Sequence, residues 1–402
     1  MANHSAGAYS RTDSFDLLTA LGSVRVESEL AGVRDALAEE CAPLFRVAPP
    51  SAFRGAPAGA GAGSGPGLTV RVGVVSRLDV PDDLADHLAQ TPVLDLDASR
   101  YHIVEFGRRF LLWSAGDSVA AAMTVRGVRG GRVVQVDVAG ASPGAVRAVV
   151  RWLRFAAAAR MTAADLPALH GSAVGHDGRA VLMLGDRGSG KSTLMMLATT
   201  LAGCDFVTDD VVLPYRDPAD GTVRVTGLPK RIGVSVAALE GHPARERFER
   251  TPLRHHGGPY GPLDVDPDRA WGAEHRVRVH CDVGEFLALT GARAVGGVAP
   301  AGVVLPCARR EMRGWLIEGP AGGDASWLPR HRASTRQLKY VTDFLGLLPD
   351  DTPAGSGDVT AALAALPVVR VTYGPDVNVD FTRFWDDVTS ALAAATPVGV
   401  AR

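Results

Sequence analysis

The stretch that most limits what this chain can become runs from residue 179 to 213, RAVLMLGDRGSGKSTLMMLATTLAGCDFVTDDVVL. An apolar strand, Arg179–Leu184, leads into Gly185-Asp186-Arg187-Gly188-Ser189-Gly190-Lys191-Ser192. Thr193–Ala202 follows as a helix ended by Gly203. The octapeptide satisfies G-x-x-x-x-G-K-[ST] and has the strand and helix flanks that a phosphate loop requires. Its glycines let backbone N–H groups converge on phosphate oxygens without a Cβ in the way, and the helix N-terminus adds partial positive charge. Lys191 supplies a compact, mobile cation for the β- and γ-phosphates, and Ser192 offers a hydroxyl to Mg²⁺. Gly185 through Thr193 are thus the candidate nucleotide-binding residues. Lysine is scarce here: among 42 basic residues only Lys191, Lys230 and Lys339 are lysines. The two cations are not interchangeable where geometry matters.

Two acids close the next strand, Phe206–Thr208 leading into Asp209 and Asp210. In open α/β sheets ligands lie outside the carboxyl ends of strands, so these carboxylates are expected near the phosphates. One would hold Mg²⁺ and the other would accept the proton of an attacking hydroxyl. Neighbours on a strand point to opposite faces, so both reach one site only if the backbone turns there. Upstream, Leu169–Gly185 reads as a hairpin with Asp177-Gly178 as its turn. That register sets His170 opposite Gly185, where an imidazole bonds a phosphate or poises an acidic partner.

The order His170-Gly171, hairpin, Gly185–Ser192, helix, Thr208-Asp209-Asp210-Val211-Val212 resembles the catalytic domain of HPr kinase/phosphorylase over roughly forty-five residues. The resemblance implies an α/β P-loop kinase domain with a mixed, phosphoenolpyruvate carboxykinase-like sheet. It implies ATP and Mg²⁺ as cofactors, with Asp209 as general base for a serine hydroxyl and Ser192 and Asp210 as metal ligands. Lys191 would act on the phosphates and His170 would tune the base. The family's glutamate- and arginine-containing signature with its Gly-Leu-Gly run has no recognisable counterpart in Leu228–Ser235, and residues 1–150 do not look like the family's N-terminal domain. The chain is similar to a divergent kinase branch that phosphorylates ribosomally made peptides.

The expected function is therefore transfer of the γ-phosphoryl group of ATP to a serine of a protein or peptide. A nucleotide-sensing module without kinase activity and a small-molecule hydroxyl kinase are the alternatives. Lys230 and Arg231 are candidate contacts to phosphate or acceptor, with a solvated loop as the competing reading. Residues 242–262 suit a mobile loop over the site. Arg332, Arg336 and Lys339 share one face if Ser326–Tyr340 is helical, most simply a solvated one. His255, His256, His275, His280 and Cys281 match no zinc spacing.

The rest of the chain divides by composition. Residues 1–54 carry a strand at Val24–Val26 and a helix over Glu29–Phe45; residues 55–67, all Gly, Ala, Pro or Ser, read as a flexible linker. Residues 68–160 form an α+β accessory module, with strands at 68–75, 101–106, 109–113, 119–125 and 133–138. A helix capped by Ser142 follows, its Arg147, Arg151 and Arg154 facing away from an apolar stripe. Residues 161–402 are the catalytic domain, closed by a strand at Val368–Tyr373 and a helix at Phe381–Ala393. A net charge of −2 offers no global field for nucleic acid or acidic lipid. Four scattered cysteines fit a reduced compartment. With no signal or spanning segment in sight, a cytoplasmic protein without membrane partners is expected; a homo-oligomer is left open.

Overall fold

The computed structural model describes residues 12–20, 22–42, 44–50, 68–80, 82–84, 86, 93–96, 99–107, 109–114, 122–128, 131–162, 168–217, 219–253, 259, 261–263, 278–319, 327–333 and 359–395. It is a mixed α/β protein that divides into two compact units, the first built mainly from residues up to 163 and the second mainly from those after it, together with Glu40–Leu44. The linker expected at 55–67 lies outside the described residues.

The first unit is one nine-stranded sheet. Its strands are β1 (Asp13–Thr19), β2 (Gly22–Ser28), β3 (Arg46–Ala48), β4 (Leu68–Val75), β5 (Val93–Leu96), β6 (Ser99–Phe106), β7 (Arg109–Ser114), β8 (Ala122–Gly127) and β9 (Val133–Ala139), in the order β3-β1-β2-β4-β9-β8-β7-β6-β5. The parallel pairing of β2 with β4 joins the segment before residue 54 to the strands after 68. The two stretches separated by composition are therefore one sheet. Helices α1 (Val33–Cys41) and α2 (Pro143–Thr162) complete the unit, and Ser142 Oγ accepts from Ala145 N at 3.1 Å as the expected cap. Arg154, read as facing away, is instead buried. Leu153, Phe155 and the alanines from 156 to 159 are buried beside it, so this length of helix is enclosed on more than one face.

The second unit holds every candidate site residue. In chain order it comprises β10 (Ala168–His176), β11 (Arg179–Leu184), α3 (Lys191–Leu201), β12 (Asp205–Thr208), β13 (Val211–Arg216), β14 (Val223–Gly227), β15 (Ile232–Ser235), α4 (Arg245–Arg250), β16 (Arg278–Cys281), α5 (Val283–Thr290), β17 (Pro300–Ala308), β18 (Trp315–Glu318), α6 (Trp327–His331), β19 (Arg332–Ala333), α7 (Val359–Ala364), β20 (Val368–Tyr373) and α8 (Phe381–Ala394). The main path is β14-β13-β10-β11-β17-β20-β18, with β12 and β19 also paired to β10. β11, β17 and β20 are mutually parallel, whereas β10 runs antiparallel to β11 and β18 antiparallel to β20. The sheet is mixed.

β11 is buried along all but its first residue, as a central strand covered on both faces must be. α3 packs Leu194, Met195, Met196, Leu197 and Ala198 inward, so the two methionines are core. α8 repeats Phe381, Phe384, Trp385, Val388 and Leu392 on its buried face. Residues 242–253 depart from the expected mobile loop, since α4 forms there with His242, Phe248 and Leu253 buried; 254–258 and 260 lie outside the described residues. No helix among the described residues is long and apolar enough to cross a membrane.

Candidate nucleotide and phosphoryl-transfer site

The hairpin forms in the register read from its turn. Gly171 faces Leu184 and His176 faces Arg179, and Asp177 and Gly178 adopt φ of 50° and 73°, the left-handed pair that a two-residue turn needs. Gly171 is a close-approach residue: a Cβ there would stand 2.6 Å from Met183 O and 2.3 Å from Leu184 Cδ2. The His-Gly dipeptide thus brings β10 tight against β11 just before the phosphate loop.

The loop leaves the carboxyl end of β11, where parallel β17 and β20 also end. Those strands hold it in shape. Ala308 N donates to Ser189 O at 2.9 Å, and Tyr373 Oη donates to Gly190 O at 3.0 Å. Gly190 has φ of 100°, and a Cβ on it would lie 2.2 Å from Tyr373 Oη, so only glycine fits. Asp186 and Arg187 are exposed at the tip. Lys191 is buried and its Nζ donates to Gly185 O and Asp186 O at 2.8 and 2.9 Å. Burial pulls its pKa below the usual lysine range, against the pull of Asp209, Asp210 and Asp186.

The required turn between the two acids is present. β12 ends at Thr208, β13 starts at Val211, and Asp210 has φ of 69° with Val211 N donating to Asp209 O at 2.9 Å. This is a γ-turn centred on Asp210, a strained conformation for a residue with a side chain. It sends the carboxylates in different directions at one spot. Asp209 points to the loop: its Oδ1 accepts from Ser192 Oγ at 2.8 Å and from Ser172 Oγ at 2.7 Å. Burial pushes the Asp209 carboxyl up, reinforced by Asp210 and opposed by the two serine hydroxyls.

Asp210 faces Lys230 and His170. It is paired with Lys230, and His170 Nδ1 lies 3.3 Å from its Oδ1 and 3.2 Å from its carbonyl oxygen. Burial alone would raise its pKa; the Lys230 charge and hydrogen bond, with His170 and Lys191, outweigh it and hold the carboxyl below the usual range. Phosphate-loop hydroxyl, two acids, His170 and Lys230 therefore meet at one place. The hydroxyl expected to share a metal with Asp210 contacts Asp209 instead. Arg231 is half-buried beside Lys230.

A cavity of about 230 Å³ opens beside the loop, lined by Gly188, Gly190, Thr193 and Leu197 on one side and by Arg309 and Asn378 on the other. Nothing in the spacing announced residues 309 and 378, because one follows the end of β17 and the other lies in the short 3-10 turn Pro375–Asp380 after β20. His331 also comes to the site, carried by α6 and β19. The helix read across 326–340 ends at His331, and Arg332 sits in a strand paired with Leu169. Arg336 and Lys339 lie outside the described residues, as do His255, His256 and His275. Cys281 is buried, and burial drives its thiol pKa well up.

A hydroxyl and a carboxylate converging at a phosphate loop make a hard-oxygen donor set that suits Mg²⁺, which binds through one or two carboxylates plus substrate phosphates. Among the described residues no group of three or more His, Cys, Asp or Glu could hold a metal by itself. No protein-family model matches the chain, and no curated protein matches it.

Proposed function

We propose that the protein is an ATP- and Mg²⁺-dependent kinase that phosphorylates a serine hydroxyl of a protein or peptide. The observation that carries this reading is the γ-turn at Asp210, which brings two carboxylates with different partners to the mouth of one phosphate loop. The mixed sheet, with an antiparallel hairpin feeding the loop, supports a phosphoenolpyruvate carboxykinase-like P-loop domain over a doubly wound one, whose strands are mostly parallel. The cavity beside Gly190 and Thr193 is where the nucleoside would sit.

The contacts favour exchanging the two acids' expected roles. Ser192 and Asp209 form the hydroxyl–carboxylate pair that holds Mg²⁺ in phosphate-loop enzymes. Ser192 and Asp209 would hold the Mg²⁺, which would supply charge neutralisation at the transferred phosphoryl group. Asp210 is the more exposed acid, its side chain 32% accessible, and it takes the proton of the incoming hydroxyl. His170 fixes its orientation. Lys230 keeps Asp210 ionised before the acceptor arrives, and Lys191 shifts from loop carbonyls to phosphate oxygens when nucleotide is bound. Serine as the acceptor, and a polypeptide as its carrier, rest on the motif resemblance; Lys230 and Arg231 are half-buried, with Lys230 paired to Asp210.

Incubation with γ-labelled ATP and Mg²⁺ in a lysate of the native host should label a polypeptide on serine. Asp210→Asn should abolish labelling, since asparagine tolerates the left-handed backbone but cannot take a proton. Nucleotide binding without any labelled product would instead support a sensing module. Label on a small molecule would move the acceptor to that class.

A further inference from the structure

The segment Trp327–Ala333 reaches the phosphate loop by a route that no sequence period announces. Trp327 and Leu328 are buried in the cluster that contains Leu169, Leu182, Leu184 and Leu363, so this turn of helix is fastened into the core. Arg332 and Ala333 then pair antiparallel with Leu169 and Ala168 at the start of β10. Leu169 pairs with Val212 on its other side, so β19 lies on the flank that β11 occupies further along. There β11 has already ended, its last residue Leu184 facing Gly171. The short strand takes the edge that β11 gives up when the chain turns into the loop. His331, the last residue of α6, comes immediately before this pairing, close enough to feel the charges of Asp186 and Lys191 on the loop and of His170.

The surroundings of His331 are those of a residue awaiting an anion. It is half-buried, and burial disfavours its charged form. Asp186 on the loop draws it toward protonation; Lys191 on α3, His170 on β10 and Arg330 on its own helix oppose this. Lys191 and Arg330 thus set two fixed cations against Asp186. A polyphosphate in the loop would reverse that balance.

We propose that His331 is a phosphate-positioning residue, its imidazole becoming imidazolium and donating a hydrogen bond to the terminal phosphate when a nucleoside triphosphate is bound. The proton comes from solvent, so binding takes up H⁺ at this residue. The inference rests on the nucleotide-binding reading given above. It adds a contact that couples nucleotide affinity to pH between the imidazole's free and bound pKa values, with tighter binding on the acid side.

Calorimetric titration with a non-hydrolysable ATP analogue and Mg²⁺, in two buffers of different ionisation enthalpy at neutral pH, reads this uptake directly. The wild type should take up protons on binding. His331→Gln, which keeps a neutral donor but cannot protonate, should lose that uptake and bind about tenfold more weakly. Unchanged uptake in His331→Gln would overturn the assignment. Should the variant fold poorly, ¹⁵N-detected titration of the wild-type His331 ring should show its pKa rising on addition of the analogue; an unmoved value contradicts the proposal. Absence of binding by the wild type would sink the nucleotide reading itself, whereas binding with unaltered uptake sinks only the role of His331.

Discussion

A single backbone angle at Asp210 decides how the site is wired. With extended backbone, Asp209 and Asp210 would point to opposite faces; the γ-turn aims one at Ser192 and the other at Lys230 and His170. Such a conformation costs on the order of 1–2 kcal/mol in a residue with a Cβ, a cost tolerated where it positions chemistry. Nearby, His242 supplies a pH-sensitive anchor for α3. It is 4% exposed, Ala244 N donates to its Nδ1 at 3.0 Å, and its Nε2 lies 2.8 Å from Thr200 Oγ1. The ring is therefore neutral with its proton on Nε2, and burial, with Arg247, pulls its pKa down to about 4 from 6.5. A depressed folded-state pKa contributes stability that is present above pH 6.5 and lost as pH falls toward 4. The total is on the order of 3 kcal/mol. Urea midpoints should fall across that window, and His242→Gln should flatten the dependence; an identical slope in the variant would assign it to other groups.

Among elements, the phosphate loop is clamped by its neighbours as well as by its own Lys191. Gly190→Ala would drive a Cβ into Tyr373 Oη at φ of 100°, so it should cost about 2 kcal/mol in denaturant unfolding and abolish ATP binding. Tyr373→Phe in the same chain should recover part of the stability. Wild-type ATP affinity in Gly190→Ala would contradict the clamp. The loop, its helix and the hairpin were legible in sequence because each is local: Asp177-Gly178 fixes the register, and glycine, lysine and serine spacing fixes the loop. The turn at Asp210 was legible only as a requirement. Two adjacent aspartates say nothing of φ, although their tolerance of left-handed backbone permits it. β19 was not legible at all, since two residues have no period and the pairing with β10 spans more than 160 positions of chain. Reading α4 as loop failed for a related reason, because its burial depends on Phe248 finding the core, with Leu253 just beyond the helix.

At the scale of the whole molecule, two large mixed sheets share the chain, and the candidate site residues all lie in the second unit. Composition placed a break at the Gly/Ala/Pro/Ser run, yet strand pairing crosses it. Sheet partners are chosen by apolar faces such as Val24, Val26, Val70 and Val72, all buried, not by what lies between them in sequence. The second unit's mixed topology followed from the antiparallel hairpin, while its edge strands had no local signature. The proposed function would place a nucleotide and Mg²⁺ between the loop and Asp209, with Asp210 turned to the acceptor. ATP affinity measured with Mg²⁺ and with chelator in the wild type, Asp209→Asn and Asp210→Asn tests this arrangement most directly. The wild type and Asp210→Asn should bind with a strong Mg²⁺ dependence, and Asp209→Asn should lose that dependence. If Asp209→Asn keeps it while Asp210→Asn loses it, the two acids carry the opposite roles, and if no form binds ATP, the loop does not hold a nucleotide.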